Sequence, residues 1–219
     1  MKKLIFVVVL LSFFFAANNI NNPNVPVTGT STINEPTQMD TFSGYSLLYG
    51  VQPDKLSISQ FVESVSDGQA SSIRGVYATD LFALQVVQQP AGNAGYVSPT
   101  EGVATQFSMA SNYGSIGFLA HNYAAGSDFF DLTFGNIIQV VYGDGHIELY
   151  KVTYIYRYQA LSPYSSNSQF EDTYTGTRYS ASDVFYQMYS GEHHLTLQTC
   201  IQQGDIDAWG RLFVIAYPL

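Results

Sequence analysis

The chain has 219 residues and a formal net charge of −9, from 17 acidic and 8 basic side chains, a balance that weighs against a nucleic-acid partner. That length suffices for one well-cored domain plus a terminal extension. With 17 Tyr, 15 Phe and only 11% charged residues, the composition fits a β-rich fold better than a helical bundle.

Residues 1–20 read as a secretion segment: Lys2-Lys3, then Leu4 to Ala17 without a charge, then Asn18-Asn19. About 14 apolar residues at roughly 1.5 Å each span about 21 Å, short of a bilayer's hydrocarbon core, so a signal peptide is expected rather than a spanning helix. Cleavage after Ala16 or Ala17 puts Phe14 or Phe15 where a small residue is preferred, which keeps an uncleaved membrane anchor as the alternative. Either way the remainder is expected to be extracytoplasmic, secreted or held at the cell surface. Residues 21–53, rich in Asn, Pro, Thr and Ser without sustained periodicity, read as a polar linker or arm, and residues 54–219 as the folded domain.

Within that domain Lys55-Leu56-Ser57-Ile58-Ser59 alternates as a strand does, and Leu81 to Val87 makes a second strand. A helix is expected next, with Ser98 as N-cap, Pro99 at the first helical position, Glu101 completing a capping box and Gly114 as the stop; Val103, Phe107 and Ala110 face inward. The strand Ser115 to Ala120 ends at His121. Gly143-Asp144-Gly145 joins two strands, Ile137 to Tyr142 and His146 to about Tyr158, as a hairpin. Ser162 to Thr177 reads as an open loop, and Ser180 and Asp183 have capping-box spacing for a short helix to Tyr189. Many strands, glycine turns and two short helices suggest a closed β-barrel with helices at its edges.

The chemistry gathers near the C-terminus. Leu195 to Cys200 alternates as a strand and ends on the only cysteine, just before the polar loop Gln202-Gln203-Gly204-Asp205. Leu212 to Tyr217 is a nearly all-apolar strand with Arg211 at its start, so two neighbouring strands bring a thiol and a guanidinium together. A lone cysteine is more often an inert buried hydrophobe than a catalyst, but an unpaired thiol in an oxidising compartment is a liability unless used. Four histidines compete as base, and the residues alone do not choose among His121, His146, His193 and His194. His193 and His194 precede Cys200 on the same strand, roughly 20 Å or more along an extended chain, and read as surface residues, as does His146 after its turn. Arg211 has a plain alternative role in a surface ion pair with Asp205 or Asp207.

Thr196-Leu197-Gln198-Thr199-Cys200, Arg211 on the next strand, and Gly117-Phe118-Leu119-Ala120-His121 closing an earlier one resemble the sortase family of cysteine transpeptidases. The resemblance runs from about Lys55 to the C-terminus and includes the spacing of Gly126, Phe130, Leu132 and Gly135. It implies a mainly β fold, a closed sortase-like β-barrel with short peripheral helices. It also implies Cys200 as nucleophile, His121 as acid and base, Arg211 as oxyanion and substrate donor, and Thr196, Thr199 and Ile201 as substrate-binding residues. The implied reaction cleaves a sorting-signal peptide through a thioester and passes the acyl group to a cell-wall or protein amine. Water in place of the amine would make the chain a thiol hydrolase; without catalysis it would be a β-rich surface binding module. No cofactor is expected. Some sortases bind calcium through acids in the loop before the cysteine strand, but Glu171, Asp172 and Asp183 are too scattered to predict it.

Overall fold

The computed structural model describes residues 56–219. The expected segments 1–20 and 21–53 lie outside the described residues. The first described element corrects an expectation: the alternation at Leu56 to Ser59 belongs to a helix, α1 (Ile58–Val65), not a strand. Ser57 and Gln60 form a capping box, with Ser57 N donating to Gln60 Oε1 at 3.0 Å. Phe61 and Val65, one turn apart, bury against Tyr77 and Val141. A Cβ at Gly75 would sit 2.7 Å from the Phe61 ring, so glycine there lets the helix approach the sheet.

The strands are β1 (Ile73–Ala78), β2 (Phe82–Gln88), β3 (Val103–Gln106), β4 (Ile116–Leu119), β5 (Ile137–Tyr142), β6 (Ile147–Ala160), β7 (Phe170–Asp172), β8 (Arg178–Tyr179), β9 (Leu195–Gln203) and β10 (Ile206–Pro218). They pair in the order β10-β9-β4-β3-β2-β1-β5-β6, and β6 pairs back to β10, closing an eight-stranded barrel. β2/β3 and β4/β9 are parallel; the other pairs are antiparallel. All eight strands send side chains into one interior cluster, among them Val76, Leu84, Ala104, Phe118, Val140, Val152, Leu197 and Val214. Full burial of a side chain such as Leu197 or Phe118 contributes about 1.5–3 kcal/mol.

A second cluster lies outside the barrel wall. Val184, Phe185, Met188 and Tyr189 of α3 (Ala181–Tyr189) pack with Tyr158, Phe213 and Ile215. The strands under α3 are therefore apolar on both faces, which is why β10 reads as continuous rather than alternating. The split is period 2: Leu212, Val214 and Ala216 point inward, Phe213 and Ile215 outward. In β6 an extra residue, Thr153, falls between Val152↔Ala216 and Tyr154↔Ile215, so Tyr150 and Val152 face the interior while Tyr158 faces α3.

The α3 capping box forms as expected, Ser180 N donating to Asp183 Oδ2 at 3.0 Å. The β5/β6 hairpin forms too, with Gly145 at φ +86°. The helix expected from Ser98 to Gly114 does not. Ser98 N donates to Thr105 Oγ1 at 2.8 Å and Ser98 Oγ accepts from Thr100 N, which turns the chain into β3. Only a single helical turn, α2 (Ser108–Ser111), survives before Gly114. The loop expected at Ser162 to Thr177 carries β7, which pairs with the end of β6. Among the described residues no helix is long and apolar enough to cross a membrane.

Candidate active site

Antiparallel register sets Cys200 directly opposite Arg211 on β9 and β10. Directly opposed residues project to the same face. Cys200 follows Thr196 and Gln198 in the outward set, so the thiol lies on the wall's outer face rather than in the barrel interior. It is nonetheless covered to 3% exposure, and Arg211 to 1%. Arg211 Nη1 donates to the carbonyls of Ala208 (2.9 Å) and Gly210 (2.7 Å). Both belong to the part of β10 where the register shifts between Ile206 and Gly210. A Cβ at Gly210 would lie 2.5 Å from the Tyr158 carbonyl oxygen, so only glycine fits between β10 and β6 there.

His121 arrives from the other side of β9. β4 runs parallel to it, with Leu119 level with Gln198 and Ala120 N donating to Gln198 O at 3.2 Å. β4 ends at Leu119, and His121 follows two residues later, towards the Cys200 end of β9. Cys200 and Arg211 are thus paired across two adjacent strands, which lie ~4.8 Å apart, and His121 comes just past the end of β4 on the other side of β9. After β4 the chain turns tightly: Ala124 N and Gly126 N both donate to the His121 carbonyl, at 3.0 and 2.9 Å. A Cβ at Gly126 would lie 2.7 Å from the Ala120 and His121 carbonyl oxygens and collide with Thr199 Oγ1. Asn122 Nδ2 donates to Asp207 O at 3.3 Å, linking this turn to the strand segment that holds Arg211.

Burial governs the protonation of all three groups. It pushes the Cys200 thiol above its ordinary 9.0, opposed by the Arg211 charge and reinforced by Asp207. Burial lowers Arg211, opposed by Cys200, so each acts on the other's charge. Burial also holds His121 below 6.5, opposed by a hydrogen bond to the Val97 backbone. At rest, near neutral pH, thiol and imidazole are both uncharged. Moving the thiol proton to His121 places the resulting thiolate beside the guanidinium.

Two expected substrate-binding residues are otherwise engaged. Thr196 is buried beneath α3 and its hydroxyl donates to Met188 O at 2.6 Å. Thr199 points away from Cys200, buried against Gly126, and its hydroxyl makes no hydrogen bond. Ile201 packs partly against the interior cluster and beside Gly210, leaving some surface accessible. His194 is not a surface residue: it is buried, with Nε2 at 2.9 Å from Met188 O and Nδ1 at 2.7 Å from Glu192 O. His146 is exposed, and His193 sits at the opposite end of β9 from Cys200, against Tyr150 and the Gly114 carbonyl. The three acids weighed for calcium have local tasks: Glu171 pairs with Arg178, Asp172 accepts from Tyr174 N and Thr175 N, and Asp183 caps α3. Among the described residues no group of three or more His, Cys, Asp or Glu is placed to hold a metal.

Several contributors escape sequence reading. No acid stands out as a third partner for His121; the Val97 backbone fills that place, and a backbone group leaves no trace in side-chain motifs. Ala208 and Gly210 hold Arg211 through carbonyls for the same reason. Gly126 alone carried a signal, its spacing from His121.

These features define a closed β-barrel with a buried cysteine–arginine pair on its wall and a histidine just past the end of the adjoining strand. No family model matches the chain, and no curated protein does. Similar solved structures include sortase A of Listeria monocytogenes (12% identity, covering 70% of this chain and 88% of that one, TM-score 0.42). Another is a lid mutant of sortase A from Corynebacterium diphtheriae (13% identity, 74% and 76%, TM-score 0.43). Sortase C1 from Streptococcus suis is similar at 11% identity, covering 74% and 78%, with a TM-score of 0.46. The barrel assignment rests on the chain's own strand pairing.

Proposed function

We propose that this chain is an extracytoplasmic cysteine transpeptidase of the sortase type. The observation that carries the reading is the cross-strand pairing of Cys200 with Arg211, with His121 just past the end of β4, the strand on the other side of β9. In the first half-reaction the Cys200 thiol gives its proton to His121 and Sγ attacks the carbonyl carbon of the scissile peptide bond. Arg211 stabilises the oxyanion, a role whose loss typically costs ~10²–10³ in rate. The C–N bond breaks as His121 returns the proton to the leaving amine, and a thioester remains on Cys200. In the second half the acceptor amine attacks the thioester, His121 takes its proton and hands it to the departing sulfur, and a new amide is released. The cover over Cys200 excludes bulk water, which favours an amine acceptor over hydrolysis.

The substrate in this reading is a sorting-signal peptide of a surface protein, and the second partner a cell-wall or protein amine. Mixing the protein with a Leu-Pro-x-Thr-Gly peptide and a small amine, and weighing the products, tests it. An amide product that disappears with Cys200→Ala supports the reading; a hydrolysed peptide alone supports the thiol hydrolase. The depth of Cys200 favours one competing account, an inert thiol in a binding module, because such burial is common for structural cysteines. Unaltered behaviour of Cys200→Ala in every assay would support that account.

A further inference from the structure

The turn after β4 presents a residue that no step above employs. Tyr123 lies almost parallel to the His121 imidazole, ring centroids 4.9 Å and planes 15° apart, while 55% of Tyr123 stays exposed. Large aromatic side chains on a surface turn do not lie flat on a neighbouring ring by default; offset stacking of this kind gains ~0.5–1.5 kcal/mol beyond burial. Tyr123 also lines a polar cavity of about 240 Å³ with Glu101, Ala125, Ser127 and Asp128. The ring therefore belongs both to the imidazole's surroundings and to this water-accessible space.

A hydrogen bond at one edge of an imidazole restrains its plane less than a contact on the ring face does. The Val97 backbone holds one edge of His121, and the flat contact of Tyr123 bears on the ring face. We propose that Tyr123 is the positioning residue of His121, an aromatic plate that fixes the plane of the imidazole and keeps water of the adjacent cavity off its face. The proposal rests on His121 as the proton carrier. The titratable and charged groups nearest this part of the fold are Cys200 on β9, Arg211 and Asp207 on β10, and Glu101 and Asp128, which line the cavity with Tyr123. Without the plate, water of the cavity reaches the ring. Relief of burial favours the imidazolium, so the imidazole titrates higher.

The test compares Tyr123→Ala, Tyr123→Leu and Tyr123→Phe in the full chain by two readouts. The first follows the His121 ring signals by NMR against pH in a Cys200→Ala background, which needs no enzymatic activity. The second measures kcat and KM for peptide and amine. In Tyr123→Ala the titration midpoint rises toward 6.5, the ordinary histidine value. Its kcat falls roughly 10- to 100-fold with KM held within about twofold, as small misplacements of a catalytic group do. Tyr123→Phe, which keeps the plate, matches the native protein in both readouts, and Tyr123→Leu, which keeps bulk without a flat face, lies between. An unmoved titration in Tyr123→Ala, or a Tyr123→Phe variant as impaired as Tyr123→Ala, overturns the proposal. If the native protein transfers no acyl group yet the Tyr123→Ala titration still moves, the positioning role stands and the transpeptidase reading fails alone.

Discussion

β9 has a histidine cluster near each end, and the two are built on opposite principles. At its start His193 Nε2 is 3.0 Å from Tyr150 Oη, and Tyr150 and Tyr142 both donate to Glu148 Oε2, at 2.8 and 3.0 Å. His193 Nδ1 lies 2.7 Å from the Gly114 carbonyl, so the network ties the approaches to β4 and β9 together beside an open cavity of about 400 Å³. At the other end burial works against charge on Cys200, Arg211 and His121 alike. Networks with matched donors and acceptors hold structure, whereas desolvated groups that oppose and attract one another hold reactivity. The same strand supplies both, which lets a rigid frame present a costly site.

Substitutions at the two ends should therefore fail differently, and the largest effect belongs to Arg211. Arg211→Lys should cut turnover by ~10² or more, since an ammonium cannot reproduce the two-pronged guanidinium, while thermal stability changes far less than after truncation. Steady-state rates alongside a melting curve check this; near-native turnover would remove Arg211 from the reaction. The Arg211→Met variant, which deletes the attraction for the thiolate, should also push Cys200 titration higher still, as read by the pH dependence of alkylation.

The pH profile sharpens the contrast. Because His121 is held below 6.5 and Cys200 above 9.0, activity should stay level between those values, falling on the acid side below 6.5 and on the alkaline side above 9.0. Stability follows the same signs. Below the ordinary histidine value the unfolded chain binds a proton that folded His121 resists, so stability drops as pH falls. Above 9.0 the unfolded thiol releases a proton that folded Cys200 keeps, so stability drops as pH rises. A bell centred on a narrow range inside those limits would contradict the assignment.

Gly126→Ala drives a methyl into Thr199 Oγ1 and two carbonyls, an overpacking expected to cost about 1–3 kcal/mol and to lower kcat by displacing His121. Adding Thr199→Ala, which clears part of the space, should restore some of both. Tyr150→Phe should cost about 0.5–1.5 kcal/mol by denaturant titration and leave kcat unchanged, because its hydroxyl serves the frame. Loss of activity there would show that the two ends are not separable.

Much of this contrast is local enough to be legible in the chain. The α3 capping box, the Gly143-Asp144-Gly145 hairpin and the adjacency of the strands bearing Cys200 and Arg211 depend on neighbours in sequence and formed as expected, although β9 runs on to Gln203 and β10 starts at Ile206, so that both residues lie inside their strands rather than at the ends. The failures share a cause. Leu56 to Ser59 is too short to separate period 2 from 3.6, and the Phe61 and Val65 contacts that decide it lie beyond that window. Thr105, seven residues away, takes the Ser98 backbone and turns a well-signalled helix into a strand. His194 is buried because α3 returns over the start of β9, a tertiary event no local pattern records. The resemblance singled out His121, but its approach to the Cys200 end of β9 depends on a parallel register between strands some 80 residues apart, which only the fold can supply.

The most direct measurement is the intact mass of the protein after exposure to a sorting-signal peptide without any acceptor amine. The account predicts an added acyl fragment mapped to Cys200, labile to hydroxylamine, and discharged as an amide when an amine is supplied. An unmodified protein under conditions where the same thiol reacts with a small alkylating agent would contradict it.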